Sequence, residues 1–441
     1  MPASPADSAI YRHLFGDDEI AALFSDSAEV RSLMLVEGAL AQVQGDLGLI
    51  PADAAAFLHR ASMEVQIDPA ALAAETAVNG VPVPGLIAAF RRAAPAPDQT
   101  AWLHWGATSQ DIIDSALALR LKRALAIYDA RLRALLQGLG TLAADHADLA
   151  MAARTYGQLA TPTSFGAVVA SWGRPVLRQQ QRLAAVAADV AQVSLSGAAG
   201  TLAAMGPQGP QVRAGLAIAL GLRDPGAGWH AERDGIGGLA GWMAGLCTQL
   251  GRIGEDLILL SQSGIGEVVM GGAGGSSTMP QKQNPVGPSV LVAIARHVGA
   301  LAGVVQGAGV HRQQRDGAAW YAEWLSLPQM LILTGRALAL AGDVVGRVTP
   351  DAAAMARGLA AGQGVIFAEA LSFALARRMP RLDAAARVKA LCGEAQGRGC
   401  DLRDLATRDF PGVDWALELQ QDMLGQAPAE ARAFAEAVTG G

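Results

Sequence analysis

The sequence predicts an all-α protein built on long helices, and three observations predict it. Of 441 residues, 51% are hydrophobic but only 5% aromatic, and alanine makes up about a fifth of the chain, far above ordinary usage. Alanine and leucine at that density favour helix over sheet. Apolar residues then recur every three or four positions over long stretches. Leu117, Leu121, Leu125, Tyr128, Leu132, Leu135, Leu139 and Leu142 form one stripe; Ile236, Leu239, Met243, Leu246, Leu250, Ile253, Leu257 and Leu260 form another. Such a stripe marks a helix of about 40 Å whose narrow seam is buried against similar helices. Third, 17% charged residues and a net charge of −6 exclude a disordered chain and supply no basic field for nucleic acid.

Taken in order, residues 1–100 read as a small helical N-terminal domain, with segments at 17–25, 28–48, 51–62 and 69–75. Pro and Gly punctuate them, and APAPD at 94–98 marks a boundary. Residues 101–349 read as a central bundle, with helices over 115–145, 235–262, 286–310 and 324–347 and apolar stripes over 165–176 and 183–193. Gly238, Gly241, Gly245, Gly251 and Gly254 lie within the 235–262 helix, each costing roughly 1 kcal/mol against alanine. Keeping them suggests a neighbouring backbone at close approach. Residues 350–441 read as a helical C-terminal domain, with segments near 351–360, 366–378, 382–396, 401–407 and 413–421.

Three cysteines, Cys247, Cys392 and Cys400, form no CxxC pair and suit free thiols in a reducing cytosol. No basic stretch followed by an apolar run opens the chain. The longest uncharged stretches, 155–173 and 190–212, carry Gly, Pro, Ser, Thr or Gln throughout and would make poor membrane spans. The expectation is a cytoplasmic protein with neither membrane nor nucleic-acid partner.

The chemistry concentrates in GGAGGSSTMPQKQNP, residues 271–285. Glycines let backbone amides approach a ligand, and Ser276 and Ser277 follow them. Lys282 and Asn284 stand where the next helix begins, with Pro285 suited to its first turn and Asn284 to its cap. Amides at a helix start together with an ammonium make a site for a carboxylate.

GSSTMPQKQNP resembles the signature loop of the fumarase/aspartase superfamily. Two further blocks resemble that family: HWGATSQDIIDSA (104–116) and ARTYGQLATPTSFG (153–166); LSGAAGT (195–201) is similar to a stretch of its adenylosuccinate lyases. The resemblance implies the L-aspartase-like all-α fold and a homotetramer whose active sites are composites of three subunits. It also implies a small polycarboxylate as substrate and no cofactor. Ser276 would remove a proton α to a carboxylate, while Lys282 and Asn284 stabilise the resulting aci-carboxylate. Thr108 and Ser109 would bind a second carboxylate, with Arg154, Gln158, Thr161, Ser277 and Met279 also lining the substrate. Asp111 could equally cap the long helix that follows, and Thr161-Pro162 could begin one. His104 is a candidate acid or carboxylate donor; packing between Leu103 and Trp105 is the alternative. The histidines show no zinc-binding spacing, and no phosphate loop or dinucleotide fingerprint appears.

Adenylosuccinate lyases read RTHGQ in the second block, the histidine being the general acid, and a glutamate five residues after the signature asparagine holds it. Here Tyr156 and Ser289 occupy those places. An amine leaving group needs a proton, but a carboxylate, whose conjugate acid has a pKa of about 4, does not. The blocks together with GAAWYAEWLSLPQ (317–329) therefore resemble the 3-carboxy-cis,cis-muconate cycloisomerase branch, in which a substrate carboxylate adds across a double bond to close a lactone. Arg312 and Arg315 are further cations for a trianion, or else a solvated face; HRQQRD (311–316) departs from the QEHER common in that branch. Trp320, Glu323 and Trp324 serve the site or simply pack along a helix. A fumarate-releasing lyase and a silent, crystallin-like protein are the alternatives.

Overall fold

The computed structural model describes residues 4–272, 274, 275, 279 and 281–440. Its helices are α1 (Arg12–Phe15), α2 (Asp18–Leu23), α3 (Asp26–Asp46), α4 (Ala52–Glu64), α5 (Ala73–Asn79), α6 (Val83–Ala93) and α7 (Pro97–Thr100). The long ones follow: α8 (Ser109–Asp145), α9 (Phe165–Val190), α11 (Asp234–Leu260), α12 (Val286–Ala308) and α13 (Gly317–Val345), with the shorter α10 (Gly209–Leu220) between the second and third. The C-terminal set is α14 (Ala352–Ala360), α15 (Ala368–Ala376), α16 (Arg381–Arg398), α17 (Leu402–Asp409), α18 (Trp415–Gln420) and α19 (Ala427–Thr439). The fold is all-α, and among the described residues strands occur only in two-stranded pieces: β1 (Ala150–Thr155) with β2 (Gln158–Ser164), β3 (Val268–Met270) with β6 (Val348–Pro350), and β4 (Gly274–Gly275) with β5 (Gln283–Asn284).

Caps set many of these boundaries. Asp17, Ser25 and Asp351 accept amides at the starts of α2, α3 and α14, while left-handed Gly80, Gly221 and Gly399 end α5, α10 and α16. Where the observed elements differ from those expected, local chemistry explains it. The helix expected from 115 begins at Ser109, where the Asp111 carboxylate accepts the Thr108 amide. The stripes over 165–176 and 183–193 belong to one helix, α9. Thr161-Pro162 stands inside β2, and Ser164 is the residue that receives the Ala167 amide and starts α9. Asn284 is a strand residue paired with Gly274, and α12 starts at Val286 with the Pro285 carbonyl accepting from Ser289. The unforeseen helices α6, α10 and α19 each carry proline in the first turn, where its missing N–H costs nothing.

The chain divides into two compact units, each assembled from three separate segments: 1–131, 179–248 and 293–339 in the first, and 132–178, 249–292 and 340–441 in the second. All five long helices contribute residues to both. The first unit has a core of Leu33, Leu40, Leu58, Leu86, Phe90 and Ile112, all fully buried. In the second, α15–α18 close over Leu371, Leu391, Leu402 and Trp415. The interior glycines of α11 divide. A Cβ on Gly254 would stand 2.5 Å from the Pro288 carbonyl, whereas Gly238 meets nothing within 4 Å.

By length and composition alone, α12 and α13 could cross a membrane; 39% and 56% of their most apolar windows are buried. These windows lie outside the stretches weighed from sequence.

Candidate active site

The first unit organises HWGATSQDIIDSA around the start of α8. Asp111, three residues after the cap, accepts the Thr108 amide at 3.0 Å, the reciprocal contact of a capping box. The same fully buried carboxylate also takes the Ser196 and Gly197 amides at 2.8 and 3.0 Å and His230 Nε2 at 2.8 Å. Asp111 therefore ties the LSGAAGT loop to the helix start, which is the capping role weighed for it. Thr108 and Ser109 remain half-buried at that start.

His104 precedes them in left-handed backbone, φ 66°. Its Nδ1 lies 2.6 Å from Oε1 of Glu37, a residue of α3 that is 1% exposed. A carboxylate can only accept, so Nδ1 carries the proton. Burial pulls the imidazole towards neutrality, and the Glu37 carboxylate outweighs it, so His104 titrates above the ordinary histidine value.

Arg315 joins this neighbourhood through Gln110, whose Oε1 accepts from Arg315 Nε at 2.8 Å; the Ala198 carbonyl accepts from the same guanidinium at 3.4 Å. Gln110 in turn donates to Asp114, and Asp114 shares the buried Arg233 with Glu323. Glu323 is thus bound inside the protein, and Trp320 and Trp324 pack at 4.6 Å between ring centroids. These are the packing contacts weighed for that segment. Arg312 is engaged by Asp316 at 2.6 and 3.1 Å.

The second unit holds the other two motifs. ARTYGQLATPTSFG folds as the β1–β2 hairpin, whose two-residue turn is Tyr156-Gly157 at φ 52° and 73°. Both positive angles define a type I′ turn, which favours Asn-Gly; tyrosine is an unusual occupant. Tyr156 is completely exposed, and Leu159 beside it is 42% exposed. Arg154 makes a two-pronged pair with buried Glu267 at 2.7 and 2.9 Å. Gln158 is exposed at the start of β2, and Thr161 lines a cavity of about 560 Å³ with Glu369, Arg377 and Glu418.

In the signature loop, Gly274 and Gly275 pair with Asn284 and Gln283. Lys282 and Met279 are exposed, the Met279 carbonyl accepting the Lys282 amide at 3.0 Å. Ser276 and Ser277 lie outside the described residues. Ser289 donates its hydroxyl to the Pro285 carbonyl at 2.8 Å. Among the described residues, no three His, Cys, Asp or Glu side chains gather as a metal site requires.

The motif residues thus fall into two sets. His104, Thr108, Ser109 and Arg315 belong to the first unit, and Arg154, Gln158, Thr161, Met279, Lys282 and Asn284 to the second. A family model described as lyase matches residues 21–299. The chain belongs to the lyase family. Its relatives include the 3-carboxy-cis,cis-muconate cycloisomerases of Bradyrhizobium diazoefficiens, 36% identical over 92% of this chain and 91% of that protein, and of Pseudomonas aeruginosa, 38% identical over 87% and 84%. The crystal structure of 3-carboxy-cis,cis-muconate lactonizing enzyme from Pseudomonas putida matches with a TM-score of 0.92 at 32% identity, covering 98% of this chain and 100% of that one. The chain is therefore an enzyme of the fumarase/aspartase superfamily, in the branch that holds these cycloisomerases.

Glu37, Gln110 and Glu267 escaped the sequence reading. Glu37 and Gln44 do leave a signal: with Leu33 and Leu40 they recur at helical spacing on one buried face of α3. Glu267 leaves none, since its partner is 113 residues away.

Proposed function

We propose that this lyase-family enzyme catalyses the cycloisomerisation of 3-carboxy-cis,cis-muconate, as its relatives' names describe. One substrate carboxylate forms a C–O bond to an alkene carbon. The π pair moves to the adjacent carbon, which lies α to another carboxylate, and that carbon then takes up a proton to give a carboxymuconolactone. Tyr156 carries this reading. The hairpin tip offers a phenol instead of an imidazole, and the Ser289 hydroxyl is spent on its own helix. A reaction whose leaving group in reverse is a carboxylate needs no acid there.

In this reading Ser276 moves the proton at the α-carbon, and Lys282 with Asn284 stabilises the aci-carboxylate. Ser277 and Met279 contact the substrate from the same loop. Thr108 and Ser109 take a second carboxylate, with His104 and Arg315 as neighbouring cations. Gln158 and Thr161 extend the site. Glu267 already neutralises Arg154, so the main cation for the reacting carboxylate is Lys282, and Arg154 acts chiefly by bracing the hairpin.

An exposed Tyr156-Leu159 tip supports composite sites in a homotetramer. So do Gly299, Gly303 and Gly307 of α12, which meet nothing within 4 Å in this chain. We read the open faces of α11 and α12 as subunit surfaces, and the enzyme as a cytoplasmic, cofactor-free one of protocatechuate breakdown. Residues 101–349 form the motif-bearing domain, flanked by helical domains at 1–100 and 350–441.

The test is turnover of 3-carboxy-cis,cis-muconate, followed by loss of the diene absorbance and identification of the lactone. Failure to turn it over, with cleavage of adenylosuccinate instead, would make this a fumarate-releasing lyase.

A further inference from the structure

Glu37 poses a physical problem that its place in the α3 core does not solve. A carboxylate at 1% exposure among Leu33, Val36 and Leu40 is tolerated only when its oxygens are satisfied. Only one is: Oε1 holds His104 Nδ1, while Oε2 is buried without a partner among the described residues. Two turns along the same face, Gln44 donates its Nε2 to the Trp105 carbonyl at 2.7 Å, and its own Oε1 is likewise buried and unpaired. These two polar side chains grip the His104 ring and the adjoining peptide. They hold a non-glycine residue in left-handed backbone beside Gly106, itself at φ 73°. Strain and under-satisfied polar groups gathered at one spot are the mark of a functional constraint.

The constraint acts on the ring. With Nδ1 turned into the protein, Nε2 is the nitrogen left to meet a ligand, and the His104 side chain keeps 21% exposure. Three charged groups face it: Glu37 of α3 and Asp111 of α8, which favour the imidazolium, and Arg91 of α6, which opposes it. The carboxylates prevail.

We propose that Glu37 is a positioning residue that keeps His104 protonated and oriented, so that Nε2–H serves as a titratable cationic donor to a substrate carboxylate at the start of α8. This rests on the reading that Thr108 and Ser109 bind such a carboxylate. It makes substrate affinity dependent on pH, because the donor's charge is lost as the pH rises through the His104 transition.

The test uses the full chain labelled with [13Cε1]-histidine, the His104 signal being assigned by its loss in His104→Gln, together with pH profiles of kcat and KM. In the wild type, His104 should titrate above free histidine; titration at or below it would overturn the proposal without any variant at residue 37. Glu37→Gln retains a hydrogen-bond acceptor for Nδ1 but removes the charge. It should lower the His104 transition, and it should raise KM about tenfold near pH 7.5 with kcat within about threefold. Glu37→Asp should restore part of both. A merely structural glutamate would lower stability and leave the position of the pH profile unmoved, which would also overturn the proposal. If the His104 transition shifts but KM does not follow, the dyad exists but does not serve substrate, and the proposal falls together with the placement of a carboxylate at Thr108-Ser109. Failure of the proposed reaction is distinguishable, since the wild type itself would then show no turnover.

Discussion

Arg233→Met should be strongly destabilising, and the reason is visible in its contacts. The guanidinium meets Asp114 at 2.8 and 3.2 Å and Glu323 at 3.0 and 2.5 Å. None of the three side chains is more than 1% exposed. It also lies 4.8 Å from the Trp229 ring centroid. Methionine fills the volume but leaves two buried carboxylates, of which Asp114 keeps the Gln110 donor at 3.1 Å. Removing one partner from a buried ion pair costs about 3–5 kcal/mol, and the cation–π contact adds about 1 kcal/mol. The loss at pH 8 is therefore about 4–6 kcal/mol. It should be read from urea unfolding midpoints at several pH values.

The pH dependence supplies the sharper test. Burial pushes the Glu323 carboxyl up, and Arg233 pulls it only part of the way back, so it already sits above its ordinary value. Without Arg233 it rises further. A carboxyl whose folded pKa exceeds its unfolded one costs its full penalty above the folded pKa, a penalty that shrinks as the pH falls through that value and vanishes only below the unfolded pKa. The deficit of the variant should therefore shrink as the pH falls, by about 1.4 kcal/mol per unit for each carboxyl that takes up its proton. A deficit under about 1 kcal/mol at pH 8 would refute the reasoning, since orphaned buried charges cannot be that cheap. So would a larger deficit that stays constant down to pH 5.

Ser276→Ala should lower kcat by about 100-fold or more, the scale of general base catalysis; near-native turnover would remove Ser276 from the proton step. Tyr156→Asn should stabilise the hairpin by about 1 kcal/mol, because asparagine tolerates the left-handed angle that tyrosine occupies under strain. A fall in thermal midpoint would contradict the turn assignment. Gly358→Ala would place a Cβ 2.7 Å from Glu267 Oε1, displacing the Arg154 clamp at a cost of about 1–3 kcal/mol; an unchanged unfolding midpoint would count against the clamp. The Cys247 thiol, fully buried and pushed up to about 12 by burial, should resist thiol reagents at pH 8 until the protein unfolds. Mass spectrometry of the native protein would reveal otherwise.

Much of the candidate site could be read because its chemistry is written in contiguous residues. GSSTMPQKQNP, HWGATSQDIIDSA and ARTYGQLATPTSFG each carry the family resemblance by residue type and order. Helical type follows equally directly from apolar residues at spacings of three and four, a pattern that repeats with the turn of the helix itself. Even the helix-start contact was present as Thr108 followed three residues later by Asp111. Elements failed to announce themselves where one residue type serves two ends, as when first-turn prolines of α6, α10 and α19 read as punctuation.

What the tertiary structure alone decided is partnership. Arg154 read as a cation for substrate until folding set Glu267 against it, and Glu323 stood open between serving the site and packing until Arg233 engaged it. His104 gained its carboxylate partner only in the structure, from Glu37, 67 residues earlier in the chain. A side chain's type is local information, so sequence by itself determined the helices, the motifs and the family they resemble. Its charge state and availability depend on which opposite charge lies within about 3 Å in a desolvated place, and only the folded chain brings such distant residues together.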